Sequence, residues 1–487
     1  MKSILRATAV LSSASVMSIL TGLVSAKVTA VLLGPGGVGY MGLLQSLLGL
    51  SALIVSMGLG VGLVRAGARA LAQHDERQET ALRDGAWLLS WTLGGVGLLV
   101  MIMVRGPLSH FMLGGPQHKD AVIITAVALL LTLASGVQVS ILNAHHRVGD
   151  LARVGILNSI FGVGAVLLII WGWRERGIAW TVLATSATNF LVSCFYVRSR
   201  TPRAKVRLAA HEVWRAAGSL LRFGGPYTAS MLAGMGVQLA LPVLVLHALG
   251  TNDVGFYRAA TGVSLTYIGF LITAMAQDYY PRVSAAGDQP AALNRLINEQ
   301  CRLVLLLAGP IIIGMLALVP WLVPLIYSPL FFPAVALLEW QLIGDIFKYV
   351  AWTMSFVILA RSGSLVFFFI EAVGGASMLL FSSFGMHWFG LPGIGMGFVL
   401  CTVIYYLLCW AILRRSISLR WTTTNKLMFI ALLAAALVIR VLPYLGFERA
   451  RTPVALILAA STGLVSLYLI QREVGGWKGM LALRKAT

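Results

Sequence analysis

Glu339-Trp340-Gln341-Leu342-Ile343-Gly344-Asp345-Ile346-Phe347-Lys348 opens an apolar segment that runs on to Ala360. A helix places residues three or four apart on one side, so Gln341, Asp345, Lys348 and Trp352 share a face. Asp345 and Lys348, three apart, can pair along it. Val350 to Leu359 is a composition for lipid, where a Lys or Asp at mid-depth costs about 2.5–3.5 kcal/mol. A stripe that costly faces protein or water, not acyl chains. An internal ion pair pinning two helices would also explain it, and the residues alone leave both readings open.

The rest of the chain has the same character. Its 487 residues are 58% hydrophobic and only 11% charged. A soluble protein cannot expose so little charge, whereas a polytopic membrane protein requires such a composition. Apolar runs of spanning length fall at 8–33, 42–64, 86–104, 121–142, 153–171, 178–197, 223–247, 259–280, 303–326, 334–360, 365–384, 392–413, 427–444 and 453–470. They predict an all-α polytopic membrane protein with about 14 transmembrane helices. Met1–Ala26 imitates a signal peptide, but its apolar part is long for one and the repeat described below needs it as a helix.

The net charge of +20 suggests nucleic acid until its distribution is read. With the N-terminus in the cytoplasm, about 27 Lys and Arg fall inside and about 6 outside. The largest inner loop alone carries Arg198, Arg200, Arg203, Lys205, Arg207, Arg215 and Arg222, whereas Gly34-Pro35-Gly36-Gly37 and Tyr327–Pro333 carry none. The charge is therefore a topology signal and a contact with lipid headgroups; no nucleic-acid partner is expected. Cys194, Cys301, Cys401 and Cys409 show neither disulfide nor zinc spacing. His145-His146 is no metal site, since neighbours on a helix point about 100° apart.

The chain repeats itself at an offset of about 216 residues. Leu33-Gly34 with Val38-Gly39-Tyr40 returns as Leu249-Gly250 with Val254-Gly255-Phe256. Ala144-His145 returns as Ala360-Arg361, Gly177-Ile178 as Gly393-Ile394, and Arg198 as Arg414. Six helices per repeat insert both halves in the same sense, which gives two parallel bundles about an axis along the membrane normal. The expected layout is a six-helix lobe at 1–200, a basic cytoplasmic linker at 201–222, a second six-helix lobe at 223–415, and two additional helices with a cytoplasmic tail at 416–487. Two such lobes facing a central cavity make a transporter by alternating access.

Lys27 lies in the first run and Lys348 in the tenth, one lysine per half. Both pointing inward would make a cationic cleft suited to a phosphate. Snorkelling to the outer headgroups also explains Lys27, whereas Lys348 is roughly 21 Å into its helix, too deep for that. Arg258 is either a gate residue or an interfacial anchor. Arg147 and Arg361, at the cytoplasmic ends of the fourth and tenth runs, can collect a phosphate at the inner mouth, though the positive-inside bias also accounts for them. Glu371 can relay a proton or cation, or pair with Lys348. No lysine follows a glycine, so no Walker A motif exists; an ion gradient or the membrane potential must drive transport unless a partner ATPase does.

The run Trp340–Lys348, followed by Ala360-Arg361 and Glu371, resembles the tenth and eleventh helices of the Wzx-type O-antigen and enterobacterial common antigen (lipid III) flippases. Gly22-Leu23 through Lys27 to Leu33–Gly39 resembles their first helix and turn, and Leu142-Asn143 with Arg147 and the Asp278–Pro281 helix end are also similar. The family belongs to the multidrug/oligosaccharidyl-lipid/polysaccharide (MOP) exporter superfamily. The resemblance implies translocation of undecaprenyl-diphosphate-linked oligosaccharide units from the cytoplasmic to the periplasmic leaflet of the bacterial inner membrane. It implies no cofactor, membrane lipids and the lipid-linked oligosaccharide as ligands, and the polysaccharide polymerase and chain-length regulator as partners. Lys27, Asp345, Lys348 and Glu371 match family positions; Gln341 and Arg258 join them as candidate substrate contacts. Many members have twelve helices, so the extra pair is a departure that leaves room for a lipid groove. The rivals are a lipid II (peptidoglycan precursor) flippase, supported by 14 helices but expected to carry arginines in the first two, and a cation-coupled multidrug antiporter, expected to carry acids there. A membrane glycosyltransferase, polymerase or ligase needs a sizeable outer loop, and the longest, 105–120, is too short, so the chain is not expected to be an enzyme.

Overall fold

The first helix, α1 (Lys2–Ser56), is broken at Gly34 (φ 65°, ψ −172°) and restarts at Pro35. A side chain resists that φ, and proline lacks the N–H that a continuing helix needs. The computed structural model describes the backbone of residues 2–201, 206, 208–274, 279–287, 289–361 and 363–473. Arg203, Lys205, Arg207 and Asp278 lie outside the described residues.

After α1 come α2 (Leu59–Ala72), α3 (Glu76–Met103), α4 (Arg105–Leu113), α5 (Lys119–Ala144), α6 (Val148–Trp173), α7 (Ile178–Arg200), α8 (Ala210–Leu249), α9 (Thr251–Ala274) and α10 (Tyr280–Ala286). Then follow α11 (Pro290–Ile326), α12 (Ala334–Arg361), α13 (Gly363–Phe389), α14 (Leu391–Ile417), α15 (Thr423–Val441) and α16 (Glu448–Glu473), and every regular element described is helical. Lipid explains this, because only a helix or a closed barrel satisfies its own backbone there. Pro310, Pro320 and Pro324 lie inside α11 without ending it. Ten described segments are long and apolar enough to cross a membrane. That is fewer than the fourteen apolar runs partly because 148–200 counts once although it holds α6 and α7, and Met17–Ser56 once although Gly34 breaks it. Of α8, only Gly236–Leu249 qualifies, as a shorter apolar helix.

The chain divides into two compact units, Met1–Arg258 with Ile326–Leu330 and Ala259–Leu325 with Phe331–Thr487. In the first, α5 packs between α3 and α7, α1 lies on α6, and α8 packs on α1, α2 and α3. Leu63, Leu82, Leu89, Leu142 and Leu220 fill the core where those helices meet. A clasp closes this end: Arg77 of α3 donates to Glu212 of α8 at 2.9 and 3.1 Å, and the Ala209 N–H donates to the same carboxylate at 2.8 Å. In the second unit α14 packs against both α12 and α13, while α10 and α15 lie on α12.

Gly250 (φ 102°, ψ 176°), between α8 and α9, has nearly the extended-beyond-zero conformation of Gly34, 216 residues earlier. Past these breaks, the restarted part of α1 crosses the start of α9 backbone against backbone. A Cβ on Gly39 would run into the Thr251 carbonyl, and one on Gly255 into the Pro35 carbonyl. Gly36 faces the side-chain amide of Asn252, and the Arg258 side chain lies across Gly42. Residues 216 apart thus oppose one another along the crossing. In lipid, where burial away from water drives little, such close packing of small residues holds helices together.

Candidate functional site

α12 is the most buried of the candidate spans, at 72% of its most apolar 18 residues. Its polar face is covered by protein, as the insertion cost of such residues demands. Asp345 is 0% exposed and accepts from Ser264 Oγ of α9 at 3.0 Å. One turn earlier Gln341, 4% exposed, donates to Thr261 Oγ1 at 3.4 Å. Two hydroxyls three apart on α9 therefore meet two polar groups four apart on α12. Helical spacing on both sides makes that match.

Lys348 is half-buried. Its Nζ lies 4.8 Å from the Trp352 ring centroid and 5.2 Å from that of Phe398 on α14. Each ring face offers a cation about 0.5–2 kcal/mol. Gly344, one turn before Lys348, has no Cβ because the Phe398 ring stands in its place. The spacing also allowed Asp345 and Lys348 to pair; here the carboxylate takes Ser264 and the ammonium takes the rings, and no ion pair within 4.0 Å joins them. The half-buried Glu371 on α13 accepts from Tyr405 of α14 at 2.6 Å and lies within electrostatic reach of Lys348. Gln341, Asp345, Lys348 and Glu371 are thus gathered in one unit by α9, α12, α13 and α14.

Lys27, Arg147 and Arg258 belong to the other unit. Lys27 is half-buried on α1. Arg258 of α9 donates through Nη2 to the Gly42 carbonyl at 2.6 Å and to Ser46 Oγ. Arg147 precedes α6 and stands 4.0 Å from Asp150, a buried acid that Arg153 and Arg200 also approach, at 3.3 and 3.9 Å. Arg361 closes α12 by donating to the Ser416 carbonyl at 2.9 Å.

Sequence reading missed the groups around this face. Ser264, Thr261 and Tyr405 had one signal, small hydroxyls or a phenol at helical spacing inside apolar runs. It also missed a buried cluster at the start of α12. Glu339, 2% exposed, is held by Arg451 of α16 and by Arg440 of α15 at 3.4 Å. Arg440 further stacks 5.2 Å from the Trp340 ring centroid and donates to the Tyr444 hydroxyl at 2.9 Å. The last two helices are therefore clasped to the helix that bears the polar face.

A family model described as polysaccharide biosynthesis protein matches residues 28–336. The lipid III flippase of Escherichia coli (strain K12) is 20% identical over 414 residues, 82% of this chain and 95% of the relative. The Shigella flexneri protein of the same name matches to the same extent. Among solved structures, the lipid II flippase MurJ in an inward closed conformation superposes with a TM-score of 0.71 at 13% identity, over 95% of this chain and 99% of that one. An inward-facing multidrug resistance MATE family transporter of the MOP superfamily gives 0.71 at 17% identity, over 84% and 98%. The fold is thus that of the MOP superfamily transporters, a class of multi-pass membrane proteins. Within that class, the chain belongs to the polysaccharide biosynthesis protein family, whose model covers more than half of it.

Proposed function

We propose that the chain is a flippase that carries undecaprenyl-diphosphate-linked oligosaccharide units from the cytoplasmic to the periplasmic leaflet of the inner membrane, for surface polysaccharide synthesis. The observation that carries this reading is Lys348, a half-buried ammonium held over aromatic rings and engaged by no ion pair among the described residues. Such a cation is ready for a phosphate, since the rings can be exchanged for an anion without leaving a carboxylate unpaired. Lys27 is its counterpart in the other half. Asp345 and Gln341, fixed by α9, keep α12 in register, and Glu371 with Tyr405 is the candidate coupling pair.

The 216-residue repeat is read as two six-helix lobes, 1–200 and 223–415, joined by the linker at 201–222, with 416–487 appended to give fourteen crossings. The like-conformation glycines at 34 and 250, and the opposed pairs 36/252 and 39/255, support that symmetry. With the N-terminus inside, the α1–α9 crossing stands at the outer end and acts as the outer gate, which parts when the carrier opens to the periplasm. Arg258 pins this gate, while Arg147 and Arg361 lie at the inner mouth. With no ATP motif in the chain, an inside-negative potential would assist an anion leaving the cytoplasm by about 2.3 kcal/mol per charge per 100 mV.

A lipid II flippase is the second reading, favoured by the likeness to MurJ across 95% of this chain, a span that takes in helices beyond the first twelve. Proteoliposomes offered either undecaprenyl-diphosphate glycan test the two together. Faster passage of lipid II than of a non-peptidoglycan repeat unit would reverse the choice.

A further inference from the structure

Where α14 ends and α15 begins, a groove of about 700 Å³ opens in the second unit. Arg414, Arg420 and Lys426 line it, and no acid does. All three side chains are exposed, and none makes an ion pair among the described residues. The floor is aromatic: Phe429 stacks on Tyr406 with centroids 5.9 Å apart and meets Trp421 edge-on at 5.6 Å. The Trp421 indole N–H is buried with no acceptor among the described residues. Arg414 lies over the Trp410 ring, 4.8 Å from its centroid.

The site is held in shape from outside. Asn294 of α11 donates to the carbonyls of Ile417 and Ser418 and accepts from the Arg420 N–H. Asn298, one turn on, donates to the Arg420 carbonyl and accepts from the Thr422 N–H. Thr422 caps α15 by accepting from the Asn425 N–H at 3.4 Å. Lys426 thus sits in the first turn of a helix, at the positive end of its dipole, where a cation is unfavourable and an anion is not. A local rule broken in this way suggests a ligand.

We propose that this groove binds the phosphodiester of an anionic phospholipid, a site separate from the transport cavity and going beyond the flippase reading. The location selects a lipid over a soluble anion. Both flanking helices are candidate membrane spans, so their junction lies at headgroup depth, where tryptophans and basic residues settle. Three cations, two indoles and no acid complement a phosphate with acyl chains running along α14 and α15. The other unit supplies an internal comparison. Phe190, Cys194 and Arg198, each 216 residues before Tyr406, Trp410 and Arg414, line a groove of about 650 Å³ that includes Asp84. Its acid makes it the poorer anion site.

The test uses the full chain, purified in detergent and washed, with retained phosphatidylglycerol and phosphatidylcholine counted by mass spectrometry. Each cation near an anionic headgroup contributes about fivefold to affinity, so Arg414→Gln with Arg420→Gln and Lys426→Gln lowers phosphatidylglycerol affinity roughly a hundredfold. Lys426→Gln alone, an exposed change that leaves packing intact, lowers it about fivefold. Arg198→Gln leaves retention unchanged, and excess inorganic phosphate displaces no lipid. Equal retention of the two lipids by the native protein, or native retention by Lys426→Gln and the triple variant, overturns the site. Displacement by inorganic phosphate overturns the lipid assignment in favour of a free phosphate.

Discussion

Lys348 lies over two rings, one four residues on at Trp352 and one fifty residues on at Phe398. The stripe Gln341, Asp345, Lys348 and Trp352 was legible from spacing alone, because a helix fixes which residues share a side. What met the stripe was not legible. Ser264 and Thr261 are small hydroxyls in an apolar run far back in the chain, and the choice of Ser264 over Lys348 by Asp345 is a matter of packing. Replacing Lys348 by Ala removes a charge-assisted contact of about 1.5–3 kcal/mol, so translocation of the diphosphate-linked substrate should fall roughly 10- to 100-fold at unchanged expression. A proteoliposome assay reads this directly. A variant flipping at the native rate would make Lys348 structural.

Elements add three devices that residue spacing could not show. The α1–α9 crossing admits no side chain at Gly39, so Gly39→Leu should lower the thermal stability of the purified protein, overpacking costing about 1–3 kcal/mol. Gly36→Cys with Asn252→Cys should cross-link under oxidation and arrest transport; ready cross-linking with full activity would contradict a parting gate. The glycines themselves were legible as a repeated motif, but their direct opposition needed the fold. On the other side of the same unit, Arg77 first, and then the Ala209 N–H, hold the Glu212 carboxyl down at about 2, below its ordinary 4.5. A lowered acid stabilises the fold above about pH 4.5, and that contribution is lost as pH falls toward 2. An acid titration of melting temperature should therefore be flatter for Glu212→Gln between those values. Glu339→Ala should destabilise by about 3–5 kcal/mol, since it strands two arginines, one of them buried, and should loosen α15 and α16 under limited proteolysis.

At the scale of the molecule, composition foretold the membrane and the apolar runs foretold helices, because lipid leaves the backbone few alternatives. Helix limits were less legible: α3, α8 and α11 begin well before their apolar runs, in charged turns such as Asp75–Glu79 that no hydropathy window includes. The break between α1 and α2 at Met57 and Gly58, both at positive φ, was also hidden, since the apolar pattern runs straight through it. The decisive measurement is translocation of purified undecaprenyl-diphosphate oligosaccharide in proteoliposomes without ATP, comparing native protein with Lys27→Ala and Lys348→Ala. Passage by the native chain, accelerated by a potential negative on the donor side and slowed at least about tenfold in both well-folded variants, is the predicted result. Substrate that stays in its starting leaflet, or crosses equally well with both lysines removed, would contradict a cationic cavity for a diphosphate.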